Sequence, residues 1–213
     1  MIKNQFNHSE GAIMQHDPPI ILIDQDGPLA AWEGEFFRRW RATNPDLPFV
    51  ELFNRRHFYV ADDLVELAPA EQREDIRAKV KEIYCAPGFY RDLPLVEGAK
   101  DALSQMMAAD YQLRICTSPL RKYENCVLEK YQWIDKHLGP DFTERIILCR
   151  QKAFIRGDFL IDDRPDAADR DGMTPLWKHV VFDAPYNRHI EGKARLNRWD
   201  DWRSVVEPML PKG

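Results

Sequence analysis

No stretch of this chain approaches the ~20 consecutive apolar residues that a bilayer-spanning helix needs. The opening MIKNQFNHSEGAIMQHD has neither the basic start nor the apolar centre of a secretory signal, so the expectation is a cytoplasmic protein that engages no membrane. Positive charge is not in excess either: 30 Lys and Arg stand against 35 Asp and Glu, for a formal charge of −5. With no basic stripe there is no footprint for a nucleic acid polymer, and a small molecule is the expected partner. Cysteine is sparse. Cys85, Cys116, Cys126 and Cys149 show no C-x-x-C spacing, and two of them follow apolar, strand-like runs where a thiol packs as a small core residue. Disulfides and a zinc site are therefore not expected. The histidines His8, His16, His137, His179 and His189 lack ligand spacing and read as surface or packing residues. Internal repeats and low-complexity tracts are absent.

What is present is an ordinary globular composition, 44% hydrophobic, in 213 residues, enough for one domain with a sizeable insertion. Residues 1–18 read as a loose leader ending at Pro18-Pro19. Strand signals then recur near 20–24, 111–116, 145–149, 159–162 and 179–183. Between and after them, 98–109, 122–138 and 200–209 carry apolar residues at three and four spacing, the helical period. Strands alternating with helices predict an α/β fold, a doubly wound, mostly parallel, Rossmann-like sheet. Residues 32–90 break the rhythm with helix-like stretches and no convincing buried strand. They read as a small helical cap inserted into a core made of residues 19–31 and 91–213. The insertion is rich in aromatics, most of which must form its own core, with a few left to line a cleft.

The strand-like Ile20-Ile21-Leu22-Ile23 runs into Asp24-Gln25-Asp26-Gly27. An unbroken branched run reads as a strand covered on both faces, and open α/β sheets bind ligands beyond the carboxyl ends of such strands. Two carboxylates there repel unless a cation or a shared proton intervenes, and magnesium suits a hard oxygen set. An isolated D-x-D-G also suits a plain capping turn. Leu113-Arg114-Ile115-Cys116 ends in Thr117 and Ser118, hydroxyls that fit either a phosphate oxygen or an ordinary turn. Ile146–Cys149 is followed by Lys152, and Phe159-Leu160-Ile161 runs into Asp162-Asp163. Taken singly Lys152 is a surface lysine, whereas adjacent aspartates after a buried strand are costly to leave unpaired. In one parallel sheet these ends converge, supplying the parts for metal-assisted phosphoryl transfer.

The order of these pieces resembles the haloacid dehalogenase superfamily. IDQDGPLAAWEGEF, NRRHFYV, ICTSP, EKYQWIDKHLGPDF, LIDDRPD and RWDDWRSVV narrow the resemblance to the 5′(3′)-deoxyribonucleotidase family, over about residues 20–207. The resemblance implies a magnesium-dependent hydrolase of deoxyribonucleoside monophosphates. It makes Asp24 the nucleophile and Asp26 the general acid, with Mg²⁺ held by Asp24, the carbonyl of Asp26 and Asp163, and Asp162 ordering that shell. Thr117, Ser118 and Lys152 would bind the phosphoryl oxygens. The sugar and base pocket maps onto Trp32, Phe58, Tyr59, Val60 and Tyr84.

The chain departs from the family at Pro28, usually Val, at Tyr59 and Tyr84, more often Trp, at His57, often Gly, and at Arg121, which stands in for a lysine near the substrate. A phosphatase for another small phosphoester, or a non-catalytic nucleotide-binding module, would share the core. The sequence leaves the choice between monomer and homodimer open.

Overall fold

The computed structural model describes residues 17–168 and 172–210. Most of the expected leader, with His8 and His16, lies outside the described residues. The sheet is built around β1 (Ile20–Ile23), whose Ile21, Leu22 and Ile23 have no exposed surface. Cover on both faces is why this run is continuous and not alternating. β1 pairs in parallel with β2 (Gln112–Thr117), Ile20 opposite Gln112, and with β4 (Phe159–Asp162), Ile21 opposite Phe159. β3 (Ile146–Leu148) lies outside β2, and β5 (Lys178–Phe182) then β6 (Ala194–Leu196) lie outside β4. All pairs are parallel, in the order β3-β2-β1-β4-β5-β6. This is the expected doubly wound fold, and its strand order reverses between β1 and β4, where such sheets open a crevice.

Helices α4 (Ala99–Ala108), α5 (Glu124–Leu138), α6 (Pro140–Thr143) and α7 (Trp202–Val206) accompany the strands. None of the helices is long and apolar enough to cross a membrane, among the described residues. β6 is an element that sequence patterning does not reveal. It has three residues, and its central Arg195 leaves the strand face to donate to Asp183 at 2.9 Å and to the side chain of Asn187 at 2.7 Å.

Between β1 and β2 the chain forms α1 (Trp32–Thr43), α2 (Val60–Glu66) and α3 (Arg73–Cys85). Phe36, Phe37 and Trp40 on α1 and Ile76, Val80 and Ile83 on α3 are buried at helical spacing. They belong to the same apolar cluster as Ile23 and Ile115 of the sheet. The two connections to this helical insertion run side by side. Ala30 pairs with Leu95 in antiparallel sense, the amide of Ala31 donates to Pro94 at 2.8 Å, and that of Val96 donates to Leu29 at 2.8 Å.

Candidate active site

Every group of interest lies at the carboxyl end of the sheet, beside the point where the strand order reverses. Asp24 is still in register there, its amide donating to the carbonyl of Ile161 at 2.9 Å. The chain then turns tightly. The carbonyl of Gln25 accepts from the amides of Leu29 at 3.1 Å and Ala30 at 2.7 Å, and Gly27 donates to Ala30 at 2.9 Å. The carbonyl of Pro28 accepts from the buried indole of Trp199 at 2.7 Å. These bonds leave the carbonyl of Asp26 outside the turn's own hydrogen bonding.

Gly27 is required twice over. Its φ is +97°, and a Cβ built on it would stand 2.5 Å from a carboxylate oxygen of Asp163. Gly27→Ala is expected to cost about 1–3 kcal/mol in backbone strain and to push Asp163 aside. A lower urea midpoint and about tenfold weaker divalent-cation binding by calorimetry should result. Unchanged divalent-cation affinity would show that this contact does not set the site.

The carboxylates of the D-x-D turn are each given a separate buried lysine. Lys152 Nζ lies 3.0 Å from Asp24 and 2.7 Å from Asp162. Lys130 Nζ, with no exposure, donates to Asp26 Oδ2 at 2.7 Å and to Thr117 Oγ1 at 2.9 Å, above the ring of Tyr90. No donor among the described residues reaches the other oxygen of Asp26.

Burial pushes the Asp24 carboxyl up to about 6, with Lys152 pulling the other way and Asp162 and Asp26 adding to the rise. Burial would raise Asp162 too, but Lys152 and the amide of Arg164 hold it below the usual carboxylate range. Among the described residues Asp163 has no cation of its own. Its carboxylate accepts from the hydroxyl of Tyr186, while burial, then Asp162 and Asp24, raise it well above the ordinary range.

One oxygen from each of Asp24, Asp162 and Asp163 comes within 4.8 Å of the others. Three converging carboxylates share a single lysine, and the excess negative charge and all-oxygen donor set fit a hard divalent cation. The carboxylate of Asp26 points instead to Lys130, so its side chain is not one of this group.

A cavity of about 530 Å³ opens over these residues. Asp24, Asp26, Ser118, Lys152, Asp162 and Asp163 line its floor, and Trp32, Phe58, Tyr59, Val60 and Tyr84 line its upper wall. Trp32 stacks on Phe36 at 5.2 Å and stands 6.2 Å from Tyr84, so the α1 and α3 sides of the wall meet through rings. Ser118 donates its hydroxyl to the carbonyl of Cys149 at 3.0 Å.

Two expected residues are placed differently. Thr117 is fully buried beneath the floor, its hydroxyl engaged by Lys130. Arg121 is exposed and does not line the cavity, because the turn after Pro119 directs Leu120 inward against the core and Arg121 outward.

Tyr90 and Tyr186 line the cavity with no motif to announce them, and Arg164 lines it from within LIDDRPD. Lys130 itself carried a readable signal. On α5 the buried positions are Cys126, Glu129, Lys130, Trp133 and Ile134, so a Glu-Lys pair falls on an otherwise apolar stripe. Glu129 accepts from the amides of Gly88 at 2.5 Å and Tyr90 at 3.1 Å, tying the returning connection of the insertion to the core. His179, read as a packing residue, is buried with Nε2 donating to the carbonyl of Asp162 at 3.0 Å.

The family described as 5′ nucleotidase, deoxy (Pyrimidine), cytosolic type C protein matches residues 18–210. A Bordetella pertussis relative is 44% identical over 187 residues, covering 88% of this chain and 95% of its own length. The cytosolic-type 5′(3′)-deoxyribonucleotidase of Homo sapiens is 43% identical over 192 residues, covering 88% of this chain and 92% of its own. The human mitochondrial 5′(3′)-deoxyribonucleotidase is 38% identical over 196 residues, with coverage of 90% and 83%. In fold alone, the chain is similar to a haloacid dehalogenase family hydrolase from Deinococcus radiodurans solved with bound phosphate and sodium. The TM-score is 0.56 at 14% identity, over 91% of this chain and 96% of that one. The chain belongs to the 5′ nucleotidase, deoxy (Pyrimidine), cytosolic type C family, the 5′(3′)-deoxyribonucleotidases, which are phosphomonoester hydrolases on the haloacid dehalogenase fold.

Proposed function

We propose that this chain hydrolyses deoxyribonucleoside monophosphates to deoxynucleoside and inorganic phosphate, through a phosphoryl group carried on Asp24 and with magnesium as cofactor. The observation that carries the reading is the D-x-D pair with one buried lysine per carboxylate, at the floor of a cavity whose opposite wall is aromatic. Residues 32–90 act as the cap over the core of residues 19–31 and 91–213.

Asp24, Asp162, Asp163 and the carbonyl of Asp26 would hold the metal, which when bound offsets the carboxylates and the charge on the phosphoryl oxygens. Asp24 attacks phosphorus, forming a P–O bond to its carboxylate as the ester P–O bond breaks. The departing nucleoside oxygen takes a proton from Asp26, whose Oδ2 is anchored by Lys130 and whose side chain is partly open to the cavity. Water then attacks the acyl phosphate and gives its proton to Asp26, the bond from phosphorus to Asp24 breaks, and the carboxylate is restored. Lys152 and the end of β2 stabilise charge on the phosphoryl oxygens.

Rings supply a stacking platform worth roughly 1–3 kcal/mol per base, tolerant of base identity. Buried Val60 beside the sugar would desolvate a 2′-hydroxyl without replacing its hydrogen bonds. Phosphate release should be followed for deoxynucleoside monophosphates, ribonucleoside monophosphates and a sugar phosphate, with and without chelator. Chelation is expected to stop turnover and magnesium to restore it, with 2′-deoxy substrates favoured by about 10–100-fold. A sugar phosphate outpacing every nucleotide would sink the base reading. Nucleotide binding with no phosphate release under any divalent metal would leave a binding module.

A further inference from the structure

The loop that presents Phe58 and Tyr59 to the cavity has little backbone bonding of its own, and it is held from within by the first arginine of NRRHFYV. Arg55 is 2% exposed. Its guanidinium donates to Asp63 of α2 at 2.5 Å, to the carbonyls of His57 at 2.6 Å and Phe58 at 3.1 Å, and to Glu33 of α1. Asp63, also buried, accepts from the amides of Arg56 at 2.9 Å and His57 at 3.2 Å with its other oxygen. Both polarities of the loop's main chain are thus satisfied by one ion pair. The guanidinium also lies 5.0 Å from the ring of Tyr186, which is edge-on to Phe58 at 5.8 Å and donates to Asp163.

We propose that Arg55, with Asp63, is the positioning residue that fixes the 57–60 loop and thereby the discrimination between nucleotides and simple phosphoesters. It touches neither substrate nor the reacting atoms. The inference rests on the reading of the cavity as a nucleotide site. A planar fork that serves two carboxylates and two carbonyls cannot be replaced by an ammonium, so Arg55→Lys keeps the charge and loses the geometry. Asp63→Asn keeps the shape and the amide acceptor and loses the ion pair. Displacing the rings of this loop removes base stacking, a loss of about 10–100-fold in nucleotide affinity.

The test compares kcat/KM for deoxythymidine 5′-monophosphate with that for p-nitrophenyl phosphate, which has neither sugar nor base. Both variants are expected to lower the ratio by about 10–100-fold, carried by KM for the nucleotide. An unchanged ratio in a folded variant, or a loss lying wholly in kcat, overturns the proposal. Should neither variant fold, amide exchange in the unsubstituted protein decides: the amides of Arg56 and His57 must be protected as well as those of α2, and exchange at the rate of an open loop overturns it. If the unsubstituted protein itself shows no preference for the nucleotide, it is the nucleotide reading that fails, which separates the two outcomes.

Discussion

Asp24→Asn is expected to reduce phosphate release by at least about 10⁴-fold, the scale seen when a covalent nucleophile is removed, while nucleotide binding survives. The amide has nearly the same volume and cannot form the acyl phosphate. Lys152 keeps its 2.7 Å contact with Asp162, so the floor of the site stays in place. The metal-free variant should also be at least as stable as the parent at pH 7. The sign follows from the carboxyl at position 24, which burial raises from 3.8 to about 6. The folded protein therefore binds a proton that the unfolded chain has already released, and stability falls as pH rises from about 4 to about 6, reaching its full penalty above that. Asn carries no such penalty. Stopped-assay phosphate release and thermal unfolding in chelator check both halves. Retention of full activity would remove Asp24 from the mechanism, and a large loss of stability would mean that it is structural.

The second large effect is expected at Lys130. Met at this position fills a similar volume but withdraws the charge from a site with no exposed surface. Asp26 and Thr117 then lose their shared donor. Removing one partner of a buried pair typically costs about 3–5 kcal/mol, a figure to be lowered here because Asp26 is partly open to the cavity. Catalysis should suffer more than folding. With Oδ2 no longer anchored, the proton donor is no longer aimed, and loss of a positioned acid costs about 10²–10⁴-fold. The effect must depend on the leaving group. A nucleoside alkoxide needs the proton and a nitrophenolate does not, so kcat/KM should fall far more for the nucleotide than for p-nitrophenyl phosphate. Equal losses on both substrates would show that Lys130 acts only through the fold.

These two residues also mark the limits of what patterning reveals. Asp24, Ser118 and the Asp162-Asp163 pair are legible because each follows an apolar run that can only be a buried strand, and parallel strands bring their ends together. The sheet is legible for the same reason, except β6, whose three residues with a central arginine carry no period. Lys130 is announced only by its place on the buried stripe of α5, because its partner Asp26 lies 104 residues away. That place becomes meaningful only once the polar neighbours are known. Arg55 is hidden for a related reason. Buried arginine is rare, and in NRRHFYV nothing distinguishes Arg55 from Arg56, although only Arg55 turns inward. The exposure of Arg121 is not legible either, since the direction of a side chain in a turn depends on which neighbour reaches the core.

The sheet order imposes a schedule on folding. β1 is the central strand, yet both neighbours lie far along the chain, Gln112 opposite Ile20 on one side and, 138 residues away, Asp158 accepting from the amide of Ile20 on the other. Contacts of such separation form slowly, because loop closure precedes any gain. The helices of residues 32–85 meet one another over short separations and can assemble first. During synthesis the most apolar strand of the molecule is thus made early and paired late, and Ile20–Ile23 is the segment most exposed to misassociation while it waits. The residues that make the site possible are also the ones that burden its folding.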